Sequence, residues 1–150
     1  MNDMYMFCMS HIYYSHIDKI NYQPVGLGLG NFPKNWMTDN TGDNISAKNK
    51  YYDMYSFHYW LWKNKLSSLE DNKWICFSNY RRFWKNNSDS STNNQLKDKI
   101  IQNVPVDWDG YDTILTEATD LRNIKVSKIL KKGKTLILKK PGILFNRNLR

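Results

Sequence analysis

Lys73-Trp74-Ile75-Cys76-Phe77-Ser78 holds four apolar side chains in a row between two polar ones. A strand with one wet face alternates, so a short unbroken run predicts a strand covered on both faces, the habit of largely parallel sheets. Met4 to Ser10 predicts another strand. Tyr51 to Lys65 predicts a helix, with Met54, Phe57, His58 and Leu61 on one flank and Tyr52, Tyr55, Tyr59 and Trp62 on another. Apolar groups nearly all round imply that it is buried. Leu96, Ile100 and Val104 mark an amphipathic helix stopped by Pro105, and Tyr111 to Leu115 reads as a third strand. A helix from Asp120 to Lys132, closed by Gly133, and a last strand from Thr135 to Leu138 complete the series. Two stretches read as irregular: Tyr22 to Pro33, punctuated by Pro24, Gly26, Gly28, Gly30 and Pro33, and the polar loop Lys85 to Asn94. Strands alternating with helices predict an α/β layered fold, and 150 residues predict one domain.

An apolar content of 41% with 15% aromatics excludes a disordered chain. No apolar stretch approaches the ~20 residues of a spanning helix, and Met1 to Tyr5 has no basic leader, so a cytoplasmic protein is expected. Cys8 and Cys76, each inside an apolar run, are expected to be buried reduced thiols. The net charge of +8 is uneven: Lys125 to Arg150 carries nine Lys or Arg and no acid, leaving 13 bases against 14 acids before it. A nucleic-acid footprint spread over the domain is therefore excluded. The basic tail leaves open contact with a polyanion or the inner face of a membrane.

In an open α/β sheet, ligands collect outside the carboxyl ends of the strands. That rule selects Ser10-His11, Asn79-Tyr80-Arg81-Arg82-Phe83 and Thr116-Glu117. Arg81 and Arg82 carry fixed charge and planar donor forks suited to a diphosphate; the alternative is one arginine paired with a carboxylate and the other solvated. A second cluster runs from Asp39 to Asn49, where Asp39, Asp43, Asn44, Ser46, Lys48 and Asn49 either present hydrogen-bond groups to a polyol or nucleotide, or close a turn and cap the next helix. His11 at a strand exit can reach a ligand, whereas His58 reads as a packed histidine and His16 has no role. Gly26-Leu27-Gly28-Leu29-Gly30 lacks the third glycine and the following helix of a dinucleotide loop. Asp107-Trp108-Asp109 is either a turn or a hard-oxygen metal pair, and it precedes a strand where a metal site would follow one. No catalytic nucleophile or base is assigned.

Three blocks occur in order: Asp39-x-x-Gly42-Asp43-Asn44-Ile45-Ser46-x-Lys48-Asn49, then Tyr59-Trp60-x-Trp62-Lys63-Asn64, then Tyr80-Arg81-Arg82-Phe83-Trp84. Together they resemble domain-of-unknown-function family 4422, a bacterial family associated with capsular and exopolysaccharide synthesis, over roughly residues 5 to 150. The resemblance implies a Rossmann-like fold of the GT-A nucleotide-diphospho-sugar transferase type. It further implies a glycosyltransferase carrying sugar from a nucleotide-diphosphate donor to a surface polysaccharide or lipid-linked acceptor. Asp39, Asp43, Asn44, Ser46, Lys48, Asn49, His11, Tyr80, Arg81 and Arg82 would bind the donor. A divalent metal such as Mn or Mg is compatible with this reading and not required by it. Family members often carry a Glu early in the aromatic helix, where this chain has Asp53-Met54, and they are usually longer, so the fold is expected to be incomplete at its C-terminus. The competing readings are a catalytically silent relic and a polyanion or membrane-surface binder acting through the tail.

Overall fold

The computed structural model describes residues 3–86 and 95–117. Backbone contacts divide the chain into two compact units, Met1–Tyr111 and Asp112–Arg150. In the first, strands β1 (Met4–Ser10), β2 (Gln23–Gly26), β3 (Met37–Thr38) and β4 (Trp74–Asn79) form one sheet in the order β3-β2-β1-β4. Every neighbouring pair is parallel, with Met9 beside Val25 on one side and Asn79 on the other. The α/β expectation holds. From β1 the chain lays down β2 and β3 outward in one direction, then crosses back to place β4 on the opposite side of β1.

Both faces of β1 are covered, which is why its apolar residues do not alternate. Phe7 and Met9 join Val25, Leu27, Phe57, Trp60 and Leu61 in a core beneath a helix, with Ile75 and Phe77 of β4 packed against it. On the other face Cys8 and Cys76 are buried near Tyr22, whose hydroxyl donates to Ile101 O at 2.8 Å. Both thiols are free, and burial pushes each pKa up to about 11, so they stay protonated and inert.

The aromatic helix is two pieces, α1 (Asn49–Tyr52) and α2 (Tyr55–Asn64), broken at Asp53 with φ 53° and ψ −130°. Only one side of α2 is buried, through Ser56, Phe57, Trp60 and Leu61. The other side exposes Tyr55 and Trp62, so the expectation of a helix buried all round is corrected. His58 is packed as expected, its ring 4.2 Å from that of Phe77 and its pKa lowered by burial.

Three further expectations need correction. The stretch read as irregular contains β2, a buried strand; Pro24 is tolerated because β3 pairs only from Val25 onward, leaving no neighbour for the missing N–H on that side. The helix expected through Val104 stops at Lys99 (α3, Leu96–Lys99), because Ile100 takes extended backbone and bridges to Lys85 while Ile100 and Ile101 are buried. Tyr111 to Leu115 forms no strand. The helix from Asp120, the last strand and the 125–150 tail lie outside the described residues, as do residues 87–94 of the polar loop.

Candidate functional site at the carboxyl edge of the sheet

Four parallel strands deliver four chain exits to one edge, and the exits of β1 and β4 lie side by side where the winding direction reverses. After β1, Ser10 Oγ donates to Ile12 O at 2.6 Å, a tight turn that leaves His11 outside the sheet. After β4, Tyr80 N–H still donates to Met9 O at 3.1 Å. The chain then folds back, with Arg81 N–H on Asn79 Oδ1 at 3.0 Å and Arg82 N–H on Asn79 O at 3.0 Å. This turn places the two guanidiniums at the rim, exposed to solvent.

An aromatic stack supports that of Arg81. The Tyr80 ring lies 4.7 Å from that of Tyr14 at 10°, and the Arg81 guanidinium sits over the Tyr80 ring, 4.7 Å from its centroid. A ring beneath a guanidinium attracts it through the π-face and holds its plane without consuming its N–H groups. His16 Nε2 lies 3.0 Å from Tyr80 O and its ring 5.5 Å from Tyr14, tying the segment after β1 to the one after β4. Among the described residues neither Arg81 nor Arg82 pairs with a carboxylate; the ion pairs are His11–Asp53 and Lys73–Glu70.

The acidic cluster is divided. Asp39 follows β3 and is fully buried. Its Oδ1 accepts the Gly28 N–H at 2.7 Å, and its Oδ2 lies 2.5 Å from Ser56 Oγ. Gly28 sits at φ 73°, so this anchor fixes a turn that a side chain would strain. Burial raises the Asp39 pKa, opposed by the Ser56 and Gly28 hydrogen bonds. Enclosed in this way, Asp39 shapes the edge from beneath.

Asn49 lies at the same edge. Its Nδ2 donates to Asp53 O at 2.8 Å and lies 2.6 Å from Ser56 Oγ, while Asp53 N–H donates to Asn49 O at 2.7 Å. These bonds hold Asp53 in a backbone conformation costly for any residue but glycine and aim its carboxylate at His11 Nε2, 3.2 Å away. Met54 Sδ, next in the chain, is 3.8 Å from Asn79 Nδ2. An unbroken set of contacts thus runs from Asp39 through Ser56, Asn49 and Asp53 to the exits of β1 and β4.

Asp43 and Asn44 go elsewhere. Asp43 N–H donates to Asn64 Oδ1 at 3.0 Å, Asn64 Nδ2 returns a bond to Asp43 O at 2.8 Å, and Tyr59 OH reaches Asp43 Oδ1 at 3.1 Å. Asn64 is the last residue of α2, about 12 Å along its axis from Ser56 at ~1.5 Å rise per residue, with Tyr59 between them. Asn44 Oδ1 accepts from Ser46 Oγ at 2.8 Å and burial closes over Ser46, so this half of the cluster shapes a turn. Lys48 is exposed in the short turn before α1.

Asp107 and Asp109 flank the buried Trp108, whose ring packs 5.3 Å from that of Trp74 at the start of β4. That is the amino end of the strand, so the pair has a turn's role and cannot serve the carboxyl edge. No three metal-ligating side chains converge among the described residues. Tyr14, His16 and Asp53 complete the edge although no spacing in the sequence marks them; His16 and Tyr80 are 64 positions apart.

No helix among the described residues is long and apolar enough to cross a membrane. No curated protein and no solved structure matches the chain. A family model described as a domain of unknown function (DUF4422) matches residues 5–138, a span that takes in both strand exits, the divided acidic cluster and the broken aromatic helix, and the chain belongs to that family.

Proposed function

We propose that the carboxyl edge binds a nucleoside-diphosphate sugar and that the domain acts as a glycosyltransferase on a surface polysaccharide or lipid-linked acceptor. The observation that carries this reading is the pair of guanidiniums at the exit of β4, paired with no carboxylate among the described residues, beside the exit of β1 where the sheet reverses its winding. The order β3-β2-β1-β4 is that of the first half of a doubly wound nucleotide-binding sheet, whose ligands sit at this reversal, and it supports a GT-A type of fold.

In this proposal Arg81 and Arg82 bind the diphosphate and stabilise the charge that grows on it as the glycosidic bond to the donor breaks. Preorganised cations usually supply the largest share of such stabilisation. The stack on Tyr80 and Tyr14 holds the Arg81 plane before substrate arrives, so less side-chain freedom is lost on binding. His11, oriented by Asp53, faces the same rim and binds donor or acceptor hydroxyls. Asn49 and Asp39 position that rim from beneath. With the charge met by arginine, no step needs a metal.

Calorimetric titration with a panel of nucleotide sugars, with and without manganese, tests this. The wild-type chain is expected to bind at least one donor, and Arg81→Gln combined with Arg82→Gln to weaken it more than tenfold while melting unchanged, each charge-assisted bond being worth about 1.5–3 kcal/mol. Undiminished binding by the double variant rejects the assignment.

A further inference from the structure

α2 carries two apolar stripes on opposite sides. Phe57, Trp60 and Leu61 face the sheet. Tyr55, Tyr59 and Trp62 recur at i, i+4 and i+7, the spacing of a single helical face, and Leu66 opens the short turn that follows the helix. Along this outward face Tyr55 is 69% exposed and Trp62 58%, with Tyr59 half-buried between them; Leu66 in the following turn is 41% exposed and Tyr52 of α1 47%. Exposed aromatic groups gathered on one side of a helix mark an interaction surface.

The chemistry around the stripe selects its partner. Between residues 48 and 66 the chain has four lysines and one acid, Asp53, which is engaged by His11, and one further carboxylate, that of Asp43, reaches the stripe at the Tyr59 hydroxyl, 3.1 Å away, so lysine remains in excess. Lys63 Nζ lies 4.0 Å over the Trp62 ring, its charge held at the level of the aromatic surface. The outer face of one helix is convex, whereas small-ligand and sugar sites are concave. Tyrosine and tryptophan bearing polar tips, interleaved with lysine on a helix lying flat, is the composition that settles at the headgroup level of a bilayer. We infer that the outward face of α2 docks this domain on an anionic membrane surface, with Tyr55 and Trp62 inserted between headgroups and Lys63 and Lys65 meeting lipid phosphates. None of Tyr55, Trp62, Lys63 and Lys65 is placed in the proposed donor site. It is also distinct from contact through the 125–150 tail.

Cosedimentation of the full chain with vesicles of phosphatidylglycerol and phosphatidylcholine, or of phosphatidylcholine alone, tests the inference. Circular dichroism melts check that each variant is folded. The wild type is expected to bind the anionic vesicles and not the neutral ones, with Trp quenching by bromine-labelled acyl chains. Tyr55→Ser with Trp62→Ser, both at exposed positions, should weaken binding at least tenfold without lowering the melting temperature. Lys63→Glu alone should weaken it about 25-fold, since each lysine near such a surface contributes roughly fivefold and reversal removes the equivalent of two charges. The inference is overturned if the wild type ignores anionic vesicles, or if both variants bind as it does, the result expected when the tail alone makes the contact. It is equally overturned if the double variant instead abolishes self-association or retention on a polysaccharide column while vesicle binding persists.

Discussion

Asp53 holds an L-residue in a region of backbone space suited to glycine, fastened by Asn49 and Ser56. Such strain costs about 1–3 kcal/mol and persists where surrounding bonds enforce it. Asp53→Gly is therefore expected to raise the melting temperature by a few degrees, the equivalent of about 1 kcal/mol, while weakening donor binding through loss of the His11 partner. A melting temperature that falls would show that the conformation is unstrained. Asp39 makes a second prediction. Its pKa is raised on folding above the ordinary 3.8, chiefly by burial. The folded state thus holds this proton more tightly than the unfolded one. The associated stability is fully present below the unfolded pKa and is lost as pH rises through the folded value. Urea midpoints of the wild type and Asp39→Asn across the carboxylate range are expected to shift in the variant's favour as pH rises; a shift the other way would refute the burial account. Neither residue's role was legible from sequence. Asp39 looked like a ligand group because composition shows its polarity and hides its enclosure.

At the scale of elements, the two faces of α2 predict opposite responses. Phe57 is fully buried, its ring centroid 5.3 Å from that of Phe7 and 5.7 Å from that of Trp60. Phe57→Ala is expected to cost about 3–5 kcal/mol in chemical denaturation. Trp62→Ala, on the outward face, should cost about 0.5 kcal/mol or less. Comparable losses at the two sites would mean that the outward stripe is covered. β1 and β4 were legible because continuous apolar runs admit few interpretations. β2 was not, since Pro24 and Gly26 are turn signals in isolation and become strand residues only with β3 short and β1 alongside. The break at Asp53 and the early end of α3 have the same origin: hydrogen bonds and burial from distant residues outweigh local periodicity.

For the whole molecule, the parallel order β3-β2-β1-β4 turns scattered sequence features into one edge. Arg81, Arg82 and His11 were legible as exit residues from the strands that precede them. Tyr14, His16 and Asp53 were not, because their place depends on pairings across the fold. The polar cluster was legible as one block and is two in space: Asp39 and Asn49 under the edge, Asp43 and Asn44 at the far end of α2. The central claim is that the exits of β1 and β4 together receive a nucleoside-diphosphate sugar. Amide chemical-shift mapping during titration with the donor that binds tests it most directly. Perturbations are expected to concentrate at Ser10 to Ile12 and Asn79 to Arg82, with smaller changes at Leu27 to Gly30 and none at Val104 to Tyr111. Shifts centred on Trp74, Trp108 and Tyr111, at the amino end of β4, would contradict the account.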